Sequence, residues 1–144
     1  NAYLSAEASR LETVLHDDVM WLISGPADQV DFFGMRRGKA EVIELVTRII
    51  PCFQQVTGFE IEQLLVQGDC AASFGRVRSR QRETNRSIRF AYAHFMRFRD
   101  GRLISMRALA DSFDAVEQLM GYQITVVSEA GAVPGDSNEQ VSVI

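Results

Sequence analysis

A chain of 144 residues is long enough for one domain with a substantial core and too short for two. Its 47% hydrophobic and 24% charged content is the balance of a globular domain, and a formal net charge of −4 argues against nucleic acid as a partner of the whole surface. No apolar run approaches the roughly 20 residues of a membrane span, so no membrane partner is expected.

Ala6 to His16 reads as a helix, because Leu11, Val14 and Leu15 form an i, i+3, i+4 stripe. Asp17-Asp18 is expected to end it as a solvated pair. Val19 to Ile23 then reads as a short buried strand, broken by Ser24-Gly25-Pro26. Phe32 to Met35 reads as a second short strand. After Gly38, Lys39 to Ile50 is amphipathic, with Val42, Ile43, Val46, Ile49 and Ile50 on one side, and Pro51 is expected to limit the helix. Phe59 to Gln67 reads as a strand with Glu60 and Glu62 outward. Gly68-Asp69 turns the chain, Cys70 to Arg80 returns, and Gln81 to Asn85 is a polar hairpin loop.

The next segment, Phe90 to Asp111, is the most informative. It alternates with period two, so Phe90, Tyr92, His94, Met96 and Phe98 share one strand face and Ala91, Ala93, Phe95, Arg97 and Arg99 the other. Asp100-Gly101 tolerates the positive φ values of a tight hairpin. Leu103 to Ala110 returns, with Leu103, Ser105 and Arg107 expected on one face and Ile104, Met106, Ala108 and Ala110 on the other. One apolar face therefore carries a single proton-active group, His94, opposite side chains small enough to leave a hole.

Phe113 to Met120 reads as a short helix, with Gly121 placed to stop it. Beyond Tyr122, Gln123 to Val127 reads as a candidate edge strand, and Glu129 to Gln140, rich in Gly, Pro, Ser, Asn and acids, as a tail. The expected division is one domain over residues 1–121 and a C-terminal strand and tail over 122–144. The order predicts an α+β fold, with helices packed on one face of a curved sheet and an apolar mouth suited to a small molecule.

Arginines crowd Arg76 to Arg107. Protected strand edges and pairs with nearby carboxylates are expected there rather than a phosphate-binding face. Cys52 and Cys70 lack CxxC spacing and are expected to be small buried groups in a reducing compartment, which points to the cytoplasm. The sequence begins at Asn1 rather than Met, as expected of a processed form or a fragment.

The element order, Asp17-Asp18-Val19 before Trp21, Arg37-Gly38 before the middle helix, and Arg97-Phe98-Arg99-Asp100-Gly101-Arg102 resemble the nuclear transport factor 2-like superfamily. Within it the chain is most similar to SnoaL-like proteins and ketosteroid isomerases. Ser105-Met106-Arg107-Ala108-Leu109 looks like the last strand of a ketosteroid isomerase. The resemblance spans Ala6 to Gly121 and implies a cone-shaped, curved mixed or antiparallel sheet packed on helices, the cystatin-like α+β barrel. Such a fold hosts isomerases, cyclases, epoxide hydrolases, dehydratases and non-catalytic proteins.

Position by position, the resemblance implies that the general-base aspartate of ketosteroid isomerases falls on Ile23, where no base stands. Their oxyanion-hole acid falls on His94. The cyclases' aspartate on the last strand falls near Ala108. Limonene epoxide hydrolases use an Asp-Arg-Asp set; Arg76 matches its arginine, while Arg78 and Ala108 stand in place of the acids.

His94 is the first candidate for chemistry, since an imidazole exchanges protons near neutral pH; it needs a partner such as Tyr92, Ser73 or a backbone carbonyl. Arg76 is the second, as a stabiliser of developing negative charge, with Tyr92 beside it. Arg78 shares its strand face, and the pair is neutralised either by Glu62, Asp111 or Asp114 or by an anionic ligand. Trp21, Ile23, Phe53, Phe74, Phe90, Tyr92, Met96, Met106 and Ala108 are expected to line the pocket, with Asp111 orienting His94 or an arginine or else capping the following helix. No metal site and no cofactor are expected. The function expected is binding of a small apolar or anionic molecule, with cofactor-independent isomerisation, cyclisation or dehydration of a carbonyl compound. The alternatives are a non-catalytic ligand-binding or dimerisation module and a structural partner in a larger complex. A homodimer through the sheet face is expected.

Overall fold

The computed structural model describes residues 7–120. The expected stop at Gly121, the strand over Gln123 to Val127 and the tail lie outside the described residues. A six-stranded sheet runs in the order β2-β1-β6-β5-β4-β3, built from β1 (Leu15–Ser24), β2 (Gly34–Arg37), β3 (Gln54–Gln67), β4 (Cys70–Gln81), β5 (Ser87–Arg99) and β6 (Arg102–Ala110). β1 lies parallel to β6 and every other neighbouring pair is antiparallel. The sheet is therefore mixed, and with its helices it makes the α+β cone expected from the sequence.

α1 (Ala8–Val14) is shorter than the periodicity implied. Leu15 is already extended, with φ −93° and ψ 137°, and β1 begins there. Asp17 and Asp18 consequently lie on the strand and do not end the helix. The stripe residue Leu15 serves the strand, packing with Val19 and Trp21 into the core. Asp17 instead ties the strand to the next helix through Lys39, whose Nζ donates at 2.6 Å, and this contact lowers the Asp17 carboxyl below its ordinary pKa.

α2 (Lys39–Glu44) continues through a π-turn, Leu45–Ile49, into α3 (Ile50–Phe53). The helix thus runs past Pro51, where the sequence suggested a limit. Proline has no N–H, and its ring collides with the carbonyl four residues back. Widening the helix just ahead of it, with the Ile50 N–H donating to the Leu45 carbonyl, accommodates that ring. Together α2, the π-turn and α3 bury Val42, Leu45, Val46 and Ile50 against Val19, Trp21, Val77, Ile88 and Phe90 of the sheet. α4 (Ser112–Met120) adds Ala115 and Val116 to the same core.

Two irregularities aim the long strands. β3 is bulged between Val56 and Gly58 and again between Ile61 and Gln63. There the backbone presses onto β4 so closely that a Cβ on Gly75 would stand 1.9 Å from the Glu60 carbonyl oxygen. The hairpin joining β5 and β6 has the expected form, with φ 50° at Asp100 and 71° at Gly101. Beyond it Arg97 pairs with Ser105 but Phe98 pairs with Leu103, leaving Ile104 as an extra residue on β6. This bulge corrects the simple alternation expected for β6: Leu103 shares a face with Phe98 and Met106 and not with Arg107.

Cys52 and Cys70 are both free and exposed, which corrects the expectation that they are buried. Cys52 sits at the end of the helix, where its thiol donates to the Arg48 carbonyl, and Cys70 opens β4 at a hairpin tip. Among the described residues no helix is long and apolar enough to cross a membrane. Because Gly75 is the point where a side chain has no room, Gly75→Ala should destabilise the domain by about 2 kcal/mol or more. A thermal melt followed by circular dichroism will show a melting temperature several degrees lower; an unchanged melt would mean that β3 can back away freely.

Candidate functional site

The inner face of the sheet is read most directly from its register. Ile23 pairs with Ala108, Ala108 with His94, His94 with Ser73, and Ser73 with Leu64. Directly paired residues share a face, so these five form one row across the sheet. On either side, Trp21 pairs with Met106 and Met106 with Met96, and Ala110 with Tyr92. Under the helices these rows floor a cavity of about 490 Å³. The small side chains of Ala108 and Ala110 keep it open, while Leu11, Leu15, Phe32 and Ile50 form part of its other wall.

Of the pocket residues expected from the sequence, Trp21, Ile23, Phe90, Tyr92, His94, Met96, Met106 and Ala108 line this cavity. Four others do not. Inward positions on β4 are Ser73, Val77 and Ser79, all buried, and period two sends Phe74, Arg76 and Arg78 to the outer face. Phe74 is 45% exposed there. Arg76 donates to Glu62 across 3.2 Å, and Arg78 faces Glu60 across 3.3 Å, in half-exposed ion pairs. Glu60 also pairs with Arg89, the main reason its carboxyl stays below the usual range. Arg76 and Arg78 are thus neutralised by the protein and stand on the wrong side of the sheet to touch a cavity ligand.

Phe53 packs edge-on against Phe32, with ring centroids 5.6 Å apart, and is not part of the cavity wall. Asp111 is exposed and accepts from the Asp114 N–H at 3.3 Å, capping α4. The capping alternative is the one the geometry carries, and His94 is not oriented by it.

The cavity lining contains no Asp, Glu, Lys or Arg among the described residues. Its polar atoms come from Trp21, Gln54, Ser73, Tyr92 and His94. Gln54 was not expected from the sequence; its Oε1 accepts from the Ser79 hydroxyl at 2.7 Å, which fixes the amide at the buried start of β3. The His94 ring lies 4.3 Å from the Tyr92 ring and 5.8 Å from the Phe59 ring, centroid to centroid. No hydrogen bond to His94 forms among the described residues, so the Tyr92 and Ser73 partners proposed from the sequence touch or face it without bonding to it. Burial without a compensating charge pushes the His94 pKa down to about 4. The imidazole is neutral at physiological pH, with one nitrogen donating and one accepting.

Among the described residues no three His, Cys, Asp or Glu side chains converge as a metal site would require. The cavity can therefore offer a ligand apolar walls, neutral donors and acceptors, and one group able to take up a proton.

The sequence profile described as a SnoaL-like domain matches residues 1–106. A Rhodopseudomonas palustris protein that carries an isomerase designation is 36% identical, over 83% of this chain and 88% of that one, with a TM-score of 0.76. TerC, co-crystallised with polyporic acid, is 17% identical over 83% and 90% of the two chains, with a TM-score of 0.69. An epoxide hydrolase of the limonene epoxide hydrolase-like type from M. tuberculosis is 17% identical over 84% and 83%, with a TM-score of 0.66. The last two likenesses concern the fold alone. No curated protein matches the sequence.

The buried neutral imidazole has a consequence for acid stability. An unfolded chain takes up a proton on His94 near pH 6.5 and the folded one only near pH 4, so acid favours unfolding within that window. The contribution is fully present above pH 6.5 and falls away as pH drops toward 4, by on the order of 3 kcal/mol. Chemical denaturation at a series of pH values should show this slope in the parent and a flatter one in His94→Leu between pH 6.5 and 4.5. Equal slopes would place the imidazole in contact with water.

Proposed function

The chain belongs to the SnoaL-like domain family, and from that premise we propose that its cavity binds an uncharged, largely apolar carbonyl compound and moves a proton on it without a cofactor. The observation that supports this most is a neutral imidazole and a phenol side by side in a cavity with no ionised lining residue. An anionic ligand would enter that space with no counter-charge, at a large desolvation cost. A ketone, by contrast, needs only a hydrogen-bond donor for its oxygen and apolar walls for its body.

In this reading the Tyr92 hydroxyl donates to the carbonyl oxygen. His94 accepts a proton from the carbon next to the carbonyl, and the electron pair of that C–H bond moves onto the oxygen as an enolate. The imidazolium then returns the proton to the same or a neighbouring carbon, which amounts to isomerisation. A low His94 pKa makes the imidazole a weak base on its own. The enolate offsets this, because imidazolium and enolate form together as an ion pair in a dry site. Ile23 and Ala108 supply no carboxylate, so His94 has to do the work that an aspartate does in ketosteroid isomerases. The isomerase designation of the Rhodopseudomonas palustris relative supports the same class of reaction. Arg76 has no part in it.

The second reading, a binding module without chemistry, is favoured by that missing carboxylate. Deoxybenzoin, an apolar ketone with exchangeable α-hydrogens, separates the two. The parent in heavy water is expected to catalyse exchange of those hydrogens, followed by proton NMR. His94→Ala should lower the rate about 10²-fold or more, and Tyr92→Phe about 10²-fold. Because His94 acts unprotonated, exchange should persist below pH 6 and fall only as pH approaches 4. Saturable binding with no exchange above the buffer rate would leave the module reading in place.

We further propose that two copies pair through the outer sheet face and that residues 1–121 form the folded unit. Leu65, Phe74, Phe95 and Leu109 are all exposed on that side, beside Ala72 and Ala93. Contiguous apolar area of this kind commonly marks an interface. The exposed thiols Cys52 and Cys70 fit a reducing, cytoplasmic setting. Light scattering should give a dimer for the parent and a monomer for Phe95→Glu; an identical mass for both would remove this face from the interface.

A further inference from the structure

Ser73 sits directly opposite His94 on the neighbouring strand, with its side chain toward the cavity and only 8% of the residue exposed. Opposed cross-strand residues have Cβ atoms about 4.5–5.5 Å apart, close enough for a hydroxyl and an imidazole to bond. They do not: the Ser73 hydroxyl makes no hydrogen bond among the described residues, because the His94 ring lies against Tyr92 and Phe59. The hydroxyl therefore opens onto the cavity, free to bond whatever occupies it. A packing residue at the same place could be alanine, as Ala108 is on the other side of His94.

Two neutral polar groups are thus left unspent side by side on the cavity floor. We propose that Ser73 and His94 form a two-point recognition pair for an uncharged ligand that carries a hydroxyl on the carbon adjacent to a carbonyl. This rests on the reading of the cavity given above and adds the feature that sets its specificity. Adjacent oxygens on a ligand lie about 2.7–3 Å apart, the span of an ordinary hydrogen bond, so two facing side chains can each bond one of them. Tyr92 remains available to the carbonyl oxygen, which has two lone pairs. A ligand with a single oxygen leaves one member of the pair unsatisfied, and that loss discriminates against it.

Trp21 lines the cavity and is the one tryptophan of the chain, so its fluorescence reports occupancy. Benzoin and deoxybenzoin differ only by a hydroxyl next to the carbonyl, and diphenylacetate is an anion of similar bulk. The parent is expected to bind benzoin about tenfold more tightly than deoxybenzoin, and diphenylacetate least of all. Ser73→Ala should bring the ratio close to one while deoxybenzoin affinity changes by less than about twofold. Ser73→Thr, which keeps the hydroxyl, should retain the preference, and His94→Leu should weaken both ketones. The melting temperature of empty Ser73→Ala should match the parent, since no bond is lost. A benzoin preference that is absent in the parent, or that survives Ser73→Ala, overturns the pair and leaves the cavity reading standing. Failure of both ketones to quench Trp21 in the parent overturns the two together.

Discussion

The pairing of β1 with β6 is the contact on which the rest of the architecture depends. Among the described residues it is the one parallel pairing in the sheet, and it joins the N-terminal third of the chain to the last strand of a long antiparallel meander. Without it, Trp21 and Ile23 would have no fixed relation to His94, more than 70 residues away in sequence. With it, Ile23, Ala108, His94 and Ser73 come into a single row. The pairing also leaves β1 beneath the middle helix, where Val42 of α2 and Leu45 of the π-turn seal the core around Val19 and Trp21. Local propensity cannot supply such a contact, because parallel strands require a long crossover and reward it only when complete.

The electrostatics follow from that geometry. Every arginine of the central strands that meets a carboxylate does so on the outer face, where water screens the pair and its contribution to stability is small. Among the described residues the inner face keeps no charge, and burial there depresses the basicity of His94. The same burial strengthens each hydrogen bond that a ligand would make there. In the proposed reading, the site trades a strong resident base for selectivity toward neutral molecules.

Much of the fold was legible in the residues. Alternation from Phe90 to Phe98, the Asp100-Gly101 turn and the amphipathic run from Val42 to Ile50 each contain their own evidence, because strand facing, turn φ and helical stripe are local properties. Eight of the expected wall and site residues follow from that alternation and from the resemblance. The failures are equally physical. Alternation divides β4 into two faces but does not say which is inward, and Arg76 and Arg78 belong to the outer set. Ser73, Val77 and Ser79 were the better inward set, being neutral and without a charge to bury. Ile104 on β6 broke the alternation, which no local signal announced. Gln54 carries no local signal, because it stands at the first residue of a strand whose alternation begins five residues later at Phe59.

What the sequence determined by itself is the list of available chemistry and its local presentation: one imidazole on an apolar strand face, small residues across from it, and glycines where turns need positive φ. These depend on neighbours two to four residues apart. Only the tertiary structure decided which side of β4 faces inward, that the arginines find glutamates on the opposite side, and that Ser73 and His94 stand together unbonded. Those outcomes depend on register between strands distant in sequence, and a shift of one residue in any pairing would have exchanged the two faces.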